Sequence, residues 1–370
     1  MKSGRICIAL LALTYACNSS AAEAYPLFQT DEVLKAVLTA PISQAYAQRH
    51  QEVRLYLPGQ WSYADAHGET NRLDVSIRTR GHFRREYCEL PPLQLNFKKK
   101  QVRGTLFTGQ NKLKLVAPCK AKPKYQQYVV LEYLAYKTLE IITDRSFKTR
   151  LMRLTYVDSD EKKETWTDLV FVIEDDSDMA RRLDLERLYL PEVRYADLDH
   201  PQTAIVQLFQ LLIANNDYSV IKGSRDEDCC HNVQLLGEKG ATTGRIPIPF
   251  DFDMSGLVNA DYATPPDQVP VRDVRVRYFN GLCQPQQNLD DAIMLMQSKR
   301  EEILSLYRNS AELDEKTKAN TVAFVEDFFA ILDDPQRVER EIVERCRGDF
   351  LMKRMLAESE VRTAVPKDSP

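Results

Sequence analysis

Between residues 31 and 116, short segments alternate apolar and polar residues, a pattern typical of β-strands. In NKLKLV (111–116), Leu113 and Leu115 share one face of the predicted strand, and Lys112 and Lys114 share the other. Glycine, proline and asparagine separate the segments. The alternation predicts strands in five segments: 31–41, 53–59, 73–81, 90–97 and 111–116.

In the next segment, 126–143, the spacing of the apolar residues becomes that of a helix. Five of its apolar residues keep roughly the spacing of one helix face: Val130, Leu131, Leu134, Leu139 and Ile142. Two more strands are predicted after this helix, at 150–160 and at 166–176, and the second ends in acidic residues.

Beyond residue 180 the pattern favours helices, interrupted by a predicted hairpin of two short strands. The helices are predicted at four segments: 203–217, 289–307, 318–332 and 337–356. The hairpin strands are 231–236 and 246–253, with Gly240 and Gly244 in the connection. The last residues, 361–370, indicate a flexible tail.

The order of these elements predicts an α+β protein with two parts. The first, 25–180, is expected to be β-rich and to carry one helix. The second, 181–360, is expected to be mainly helical and to hold the hairpin. Such a layout is found in two-lobed kinase-like proteins and in unrelated α+β proteins, so the layout alone does not decide the function.

Residues 1–24 have the pattern of a secretory signal peptide. Two basic residues precede the apolar run 6–13, which is too short to span a bilayer, and residues 22–24 form an A-x-A cleavage site. A lipoprotein anchored at Cys17 is the less favoured alternative. No later stretch reaches the roughly 18 apolar residues of a transmembrane helix. We therefore expect an exported protein, periplasmic or secreted, whose mature chain begins near Tyr25.

Six cysteines lie beyond the predicted signal peptide: Cys88, Cys119, Cys229, Cys230, Cys283 and Cys346. An even number of cysteines in an exported chain suggests disulfides. We expect first a Cys88–Cys119 pair, because both cysteines lie in the strand-rich region. A second pair is expected between Cys283 and either Cys229 or Cys230.

The composition excludes some classes of partner. The 370-residue chain is 44% hydrophobic and 28% charged, as is ordinary for a globular protein. Its formal net charge is −4, without the basic surplus that a nucleic-acid-binding protein usually shows. A nucleic-acid partner is therefore not expected.

Oxygen-bearing side chains follow one another in a suggestive order between residues 213 and 256: Asp217, Asn232, Asp251 and Asp253. Phosphoryl transfer needs one carboxylate to orient or deprotonate a hydroxyl, and an asparagine and an aspartate to hold Mg²⁺ against the phosphates. The predicted hairpin would bring Asn232 and Asp251 to adjacent strand ends. Oxygen ligands suit Mg²⁺ or Mn²⁺. The alternative is that these are turn residues, since Asx side chains often bond their own backbone.

Seven segments extend this pattern along the chain: RTRGHFRREYCELPPLQLNF (78–97), GQNKLKLV (109–116), QYVVLEYLAYK (127–137), FVIEDD (171–176), NND (215–217), HN (231–232) and PFDFDMSG (249–256). In this order they resemble the spore-coat CotH-type kinase-like family, in its exported Gram-negative branch. The resemblance covers about residues 31–285. It implies an atypical two-lobed kinase-like fold, distantly similar to HipA-type and lipid kinases, that phosphorylates exported proteins with ATP and a divalent metal.

The resemblance implies a role for each acidic-site residue. Asp217 would be the catalytic-loop aspartate, Asn232 and Asp251 would hold the metal, and Asp253 would be a second ligand or a buttress. The chain departs from the better-known kinases in one respect. Fourteen residues separate Asp217 from Asn232, where those kinases have only a few.

A kinase also needs a strand lysine on the phosphates, tethered by a helix glutamate. We expect Lys114 to pair with Glu132, with Lys112 as the alternative lysine. A solvated strand face beside an ordinary helix-surface acid would produce the same pattern.

The phosphates themselves have no G-x-G-x-x-G loop to cover them. Arg80 and Arg84 are the best substitute, because guanidinium groups bind phosphate oxygens bidentately. The alternative for Arg84 is a solvated basic turn. Glu174 is expected either to contact the ribose or adenine side of the nucleotide or to cap a turn.

These observations lead us to expect an exported kinase-like enzyme that transfers phosphate from ATP to a Ser or Thr hydroxyl of a protein. One alternative is a non-catalytic envelope scaffold on the same fold, favoured by the missing glycine-rich loop and by the scarcity of ATP in the periplasm. A weaker alternative is a metal-dependent phosphoesterase built on the same oxygen ligands.

Overall fold

A computed structural model describes residues 24–65, 67–224 and 227–348. Its first part contains seven strands: β1 (Leu34–Ala40), β2 (Leu57–Ala64), β3 (Thr70–Thr79), β4 (Leu93–Phe97), β5 (Lys112–Val116), β6 (Thr149–Asp158) and β7 (Trp166–Ile173). They form a closed barrel in the order β1-β2-β3-β4-β5-β7-β6. Neighbours pair antiparallel except β1 and β6, which close the barrel in parallel.

Alternate residues of the strands fill the barrel because successive side chains of a strand point to opposite faces. On β3, Leu73 and Val75 are buried while Asp74 between them is exposed. Trp61, Phe97 and Phe107 pack against one another, with ring centroids 5.2–6.1 Å apart. Large aromatic side chains thus fill the interior, and the barrel is a packed core.

Most of the helices follow the barrel in sequence. Their bounds are α1 (Ile42–Ala47), α2 (Phe83–Tyr87), α3 (Pro123–Ile142), α4 (Asp176–Arg182), α5 (His200–Leu212), α6 (Gln286–Ser298), α7 (Arg300–Arg308), α8 (Glu315–Leu332) and α9 (Pro335–Val338). A separate antiparallel sheet has the order β10-β9-β8, built from β8 (Glu186–Arg187), β9 (Val233–Gly237) and β10 (Ile246–Pro249).

Helix α3 joins the barrel to the helical part. Tyr133 and Tyr136 pack on Phe171 of β7, with ring centroids 6.0 and 5.7 Å apart. Thr138 lies 2.7 Å from the hydroxyl of Tyr307 on α7. Since α3 has neighbours on several sides, its buried residues do not keep to one stripe, and this is why the apolar period of 126–143 is only roughly helical.

The α+β class is confirmed, with a strand barrel first and helices toward the C-terminal side. Several boundaries were wrong, among them that of the helix predicted at 203–217, which is α5 and ends at Leu212. The second strand runs over Leu57–Ala64, not 53–59, because pairing with β3 begins at Leu57 and pairing with β1 begins at Gln60. The predicted helix 289–307 is two helices, α6 and α7, which meet at Lys299.

Two short helices, α1 and α2, were missed, because five or six residues are too few to show a helical period. The predicted helix 337–356 is helical only as far as Val343 in its described portion: α9 leads into a π-helical turn, Glu339–Val343. Beyond that turn, a disulfide joins Cys346 to Cys283, and Arg347 forms an isolated β-bridge with Leu282.

The described residues contain three disulfides. Cys88–Cys119 is confirmed. The second predicted pairing was wrong, because Cys283 bonds to Cys346 and Cys229 bonds to its neighbour Cys230. The physical reason is that the segment around Arg347 packs against the segment around Gly281. The Arg347 N–H donates to the carbonyl oxygen of Gly281 at 2.7 Å, which places Cys346 beside Cys283. Disulfides are typical of extracytoplasmic proteins.

Within the described ranges, no helix is both long and apolar enough to cross a membrane. The predicted signal peptide, up to residue 23, lies outside these ranges, as do the end of the last predicted helix and the predicted tail 361–370.

Candidate functional site

The β9–β10 hairpin brings Asn232 and Asp251 together at its open end, as the sequence predicted. Val233 pairs with Pro249, and the Phe250 N–H donates to the carbonyl oxygen of Asn232 at 3.0 Å. Both Asn232 and Asp251 are in the left-handed region, with φ of 51° and 62°. Asn and Asp adopt that region more readily than other non-glycine residues, and residues held there cluster at functional sites. Two such residues side by side therefore mark the hairpin end as a candidate site.

Asp251 and Asp253 lie in different environments because Phe252 between them is an anchor in the core. Its ring centroid lies 4.6 Å from that of Tyr136 and 5.2 Å from that of Phe209. The Asp251 side chain is 49% exposed and that of Asp253 only 6%. The Asp251 N–H also donates to the Tyr136 hydroxyl at 2.8 Å. One acid of the pair therefore faces solvent and the other faces the protein interior.

Gly256 fastens the segment after Asp253 to the loop that follows α5. Its N–H donates to the carbonyl oxygen of Ala214 at 3.0 Å. A Cβ at this position would lie 2.2 Å from the carbonyl oxygen of Val274, so a larger residue would push the backbones apart. The close approach places the loop that carries Asp217 beside the hairpin end.

Both carboxylate oxygens of Asp217 accept hydrogen bonds. Asn232 Nδ2 lies 3.0 Å from Oδ2, and His231 Nε2 lies 2.7 Å from Oδ1. Asn232 Nδ2 also donates to the main-chain oxygen of Asp217 at 2.8 Å. The predicted proximity of Asp217 and Asn232 is thus confirmed. The fourteen residues between them form an insertion whose two ends lie together at the site.

His231 was not singled out from the sequence. Its hydrogen bond to Asp217 raises the pKa of the imidazole, against the opposing effect of partial burial. The charge of Asp251 raises this pKa further, so His231 lies within electrostatic reach of the hairpin end. The only sequence signal was its place directly before Asn232 in the HN dipeptide.

Arg84 is the centre of a buried ion-pair cluster. Its Nε donates to Asp253 Oδ2 at 2.7 Å, and its Nη2 donates to Glu132 Oε2 at 2.7 Å. Asp251 Oδ1 is more distant from Nη2, at 3.4 Å. The side chains of Arg84 and Glu132 are 11% and 2% exposed. One guanidinium therefore links α2, α3 and the segment after β10.

Of the arginines that the structure describes, Arg84 is the one whose guanidinium pairs with the three carboxyl groups of this cluster, and two of these carboxyl groups, those of Glu132 and Asp253, are buried. Burial raises the pKa of Glu132 and of Asp253, although Arg84 acts to lower both. Burial disfavours the charged guanidinium as well, but Asp253 and Glu132 keep the pKa of Arg84 well above its ordinary value. Arg84 therefore keeps its positive charge, while the net effect of the surroundings favours the protonated form of Glu132 and of Asp253.

The predicted Lys114–Glu132 pair was wrong. Lys114 Nζ donates to Asp176 Oδ1 at 2.6 Å, at the start of α4, and lies 5.1 Å from the ring centroid of Phe250. Glu132 is paired with Arg84 instead. Strand alternation predicts which face of β5 Lys114 occupies. It does not show that Arg84 of α2 pairs with Glu132 of α3. The alternative lysine, Lys112, is exposed.

Glu174 is a structural ion-pair partner. Its carboxylate receives two hydrogen bonds from Arg182, Nε to Oε1 at 3.0 Å and Nη2 to Oε2 at 2.9 Å. Oε2 also accepts the Lys148 N–H at 3.1 Å, and Glu174 is 1% exposed. Of the two roles left open by the sequence, this geometry favours the backbone-capping role over contact with a nucleotide.

Arg80 lies close to the same acids but is not tied to them by a hydrogen bond. Its Nε is buried and has no hydrogen-bond partner in the described part of the chain. Burial lowers the pKa of this guanidinium, Asp251 raises it, and Arg84 lowers it. An unpartnered buried donor is costly unless a ligand or water satisfies it, and a phosphate oxygen would do so.

The residues at the hairpin end fit a metal ion that takes most of its ligands from phosphates and water. Among the described residues, no group of three or more His, Cys, Asp or Glu side chains is placed to hold a metal. Asp253 is engaged by Arg84, which suits a buttress better than a ligand. The amide nitrogen of Asn232 donates to Asp217, so its amide oxygen remains for a metal ion. The Asp251 side chain is half exposed. Mg²⁺ commonly takes one or two protein oxygens and completes its shell with phosphates and water.

Comparison with known proteins found no matching family model and no similar curated sequence.

Proposed function

We propose that the chain is an exported kinase-like enzyme that transfers the γ-phosphate of ATP to a Ser or Thr hydroxyl of a protein. The observation that supports this best is the convergence of Asp217, Asn232 and Asp251 at one hairpin end, beside the Arg84–Glu132 ion pair. A hydroxyl-orienting carboxylate, an oxygen pair for a metal and a fixed cation are the parts that phosphoryl transfer uses. The resemblance to the CotH-type family supports a two-lobed kinase-like fold.

In this proposal Asp217 receives the proton of the acceptor hydroxyl. Its carboxylate is held by His231 and Asn232, so its orientation is set before an acceptor arrives. Positioning of this kind is worth several kcal/mol in phosphoryl transfer, where the protein contributes mainly placement and charge stabilisation.

Among the described residues, the phosphate end has one arginine with an unpartnered Nε, Arg80, and one arginine paired with carboxylates, Arg84. Arg80, with its unpartnered buried Nε, would bind phosphate oxygens directly. Arg84 is occupied by carboxylates and would position Asp253 and Glu132. A Mg²⁺ or Mn²⁺ ion held by Asn232 and Asp251 would neutralise charge on the phosphates.

The three disulfides support an oxidising compartment, and with the predicted signal peptide we place the enzyme in the periplasm or outside the cell. The acceptor would be another exported protein.

The test is transfer of labelled phosphate from ATP to a mixture of protein acceptors by mature protein (25–370), with Mn²⁺ or Mg²⁺. We expect Asp217→Asn and Asp251→Asn to reduce transfer by about 10²-fold or more. Asparagine tolerates the left-handed conformation of Asp251, so only the charge changes. Asp184→Asn is the matched control, because Asp184 is an exposed aspartate with φ of 56° and no described contact with the residues at the hairpin end. Equal transfer by all variants would refute the proposal.

A non-catalytic scaffold is the second candidate, and one observation favours it. Glu132, Asp253 and Lys114 are all engaged by other side chains, which leaves fewer groups free for a nucleotide. Absence of turnover in the parent, together with unchanged partner binding by Asp251→Asn, would support this candidate over the kinase.

A further inference from the structure

Three aromatic side chains form a partly exposed surface beside the proposed centre. Phe83 and Tyr87 lie one turn apart on α2, with stacked rings whose centroids are 5.2 Å apart. The Tyr262 ring packs on both, with centroids 5.7 and 5.6 Å away. Phe83 is 45% exposed and Tyr87 is 41% exposed. Single exposed aromatic residues are ordinary, but several side by side are typical of a surface that binds a partner. We call Phe83, Tyr87 and Tyr262 the aromatic face.

The aromatic face is continuous with the acidic cluster at the hairpin end. Arg84 lies on α2 between the two exposed rings and points inward, where its Nε donates to Asp253 Oδ2 at 2.7 Å. The Tyr262 hydroxyl also hydrogen-bonds to the Asp253 carboxylate. Asp251 Oδ1 lies 3.4 Å from the same guanidinium. The contacts from the face to Asp251 thus pass through Arg84 and Asp253, so a bound chain a few residues long, at about 3.3 Å per residue, can contact both.

The disulfide between Cys88 and Cys119 brings a basic segment to the border of the aromatic face. Cys88 follows the last residue of α2, and Cys119 precedes the segment KAKPK (120–124). The Lys120 ammonium lies 4.9 Å from the centroid of the Tyr87 ring. A cation over an aromatic ring is attracted to it, so this contact holds the lysine beside the face.

The basic segment keeps an excess of positive charge. Of its three lysines, Lys124 is paired with Asp261. The charge of Glu89 acts on Lys120, while Lys122 is exposed and has no ion-pair partner among the residues that the structure describes. Three cations against two carboxylates leave the border of the aromatic face positive, which favours a partner that brings carboxylates.

We propose that the aromatic face binds the protein acceptor, through a segment that carries a large apolar side chain between acidic residues. This inference rests on the proposed function and concerns how the acceptor binds. The apolar side chain packs against Phe83 and Tyr87, whose rigid rings supply contact area at low cost in conformational entropy. The carboxylates pair with Lys120 and Lys122. A Ser or Thr a few residues away from these contacts then reaches the hairpin end. A neutral glycan would stack on the rings as well, but it would leave the lysines without a counter-charge.

The first experiment measures peptide binding to mature protein (25–370) by fluorescence anisotropy, without nucleotide. The probe is a fluorescein-labelled peptide in which Asp-Phe-Glu is flanked on each side by Gly-Gly and a terminal Ser. We expect the double variant Phe83→Ala, Tyr87→Ala to bind it about tenfold more weakly or worse, since truncation of an aromatic anchor commonly costs that much. Tyr189→Ala is the matched control, because Tyr189 is 66% exposed and has the Arg187 guanidinium 5.0 Å from its ring centroid. A thermal melt of each variant shows whether the fold is kept.

The second experiment reverses the charge of the border and leaves the rings in place. The double variant Lys120→Glu, Lys122→Glu should bind the acidic peptide at least about tenfold more weakly, and should bind a counterpart in which Lys replaces Asp and Glu. Lys163→Glu is the control, because Lys163 is an exposed lysine that also lies over a tyrosine, 5.8 Å from the Tyr46 ring centroid. In phosphate transfer from ATP to the acidic peptide, the double variant should raise the KM for the peptide by the same factor and keep kcat, because the hairpin end is untouched.

The outcomes separate this inference from the proposed function, which is decided by binding of ATP with Mn²⁺ and by phosphate transfer. Equal peptide binding by the parent and both double variants, or no binding by the folded parent, would overturn the aromatic face as the acceptor site. Binding of a neutral glycan such as cellopentaose, or of a second copy of the chain, in place of the peptide would overturn it as well. Peptide binding with the expected variant pattern, but without ATP binding, would overturn the proposed function and leave the face as a protein-binding site.

Discussion

Replacement of Arg84 by methionine tests the buried cluster that links the barrel, α3 and the chain after β10. Methionine keeps much of the apolar volume of the arginine stem and removes the charge. Glu132 and Asp253, which are 2% and 6% exposed and each 2.7 Å from the guanidinium, would then remain buried without a cation.

The expected loss is large and depends on pH. Removing one partner of a buried ion pair typically destabilises a protein by about 3–5 kcal/mol, and we expect a loss of this size for Arg84→Met at pH 8. Burial already raises the pKa of Glu132 and Asp253, and loss of Arg84 raises both further. A carboxyl group whose folded pKa exceeds its unfolded value imposes no penalty below the unfolded value, near pH 4. The penalty grows as pH rises from the unfolded value toward the folded value, by up to about 1.4 kcal/mol per pH unit for each group, and it is constant above the folded value.

The assay is urea unfolding of parent and variant at pH 8 and at pH 5. We expect the difference in unfolding free energy at pH 5 to be less than half of that at pH 8. Arg85→Met is the matched control: Arg85 is the next residue on α2 and pairs with the half-exposed Glu86, so its loss should be within about 1 kcal/mol and should not vary with pH. A loss below 1 kcal/mol for Arg84→Met at pH 8, or equal losses at both pH values, would refute this account of the cluster.

Three further predictions concern single contacts. Glu174→Gln should lower the unfolding free energy by about 3–5 kcal/mol, because its arginine partner stays buried, and should leave ATP binding unchanged in calorimetry; lost binding with normal stability would instead indicate a nucleotide contact. Serine at both Cys88 and Cys119 opens a 31-residue loop and should lower the unfolding free energy by about 4 kcal/mol in urea; an unchanged midpoint would argue against the disulfide. Lys114→Met should weaken ATP affinity less than Arg80→Met, because Lys114 is already held by a carboxylate while Arg80 Nε has no described partner; the reverse order would contradict this assignment.

The parts of the site that follow local patterns could be predicted from the sequence. The apolar run of 246–250 and the short strand after Asn232 predicted the hairpin, and strand pairing then forced Asn232 and Asp251 together. The order of Asp217 and Asn232 was enough to place them in one site even across fourteen residues.

The parts that depend on distant packing could not be predicted. Which cation reaches Glu132 is decided by α2, a five-residue helix too short to show a period, and Arg84 there is closer to Glu132 than the strand lysine. The partner of Cys283 is likewise decided by where the chain returns near Arg347, which no local pattern indicates.

The most direct test of the central claim is calorimetric titration of ATP with Mn²⁺ into mature protein (25–370), beside Asp251→Asn and the control Asp184→Asn. We predict binding by the parent and by the control, and loss of binding in Asp251→Asn with an unchanged melting temperature. Absence of binding in the folded parent, or equal binding by all three proteins, would contradict a nucleotide–metal site at the hairpin end.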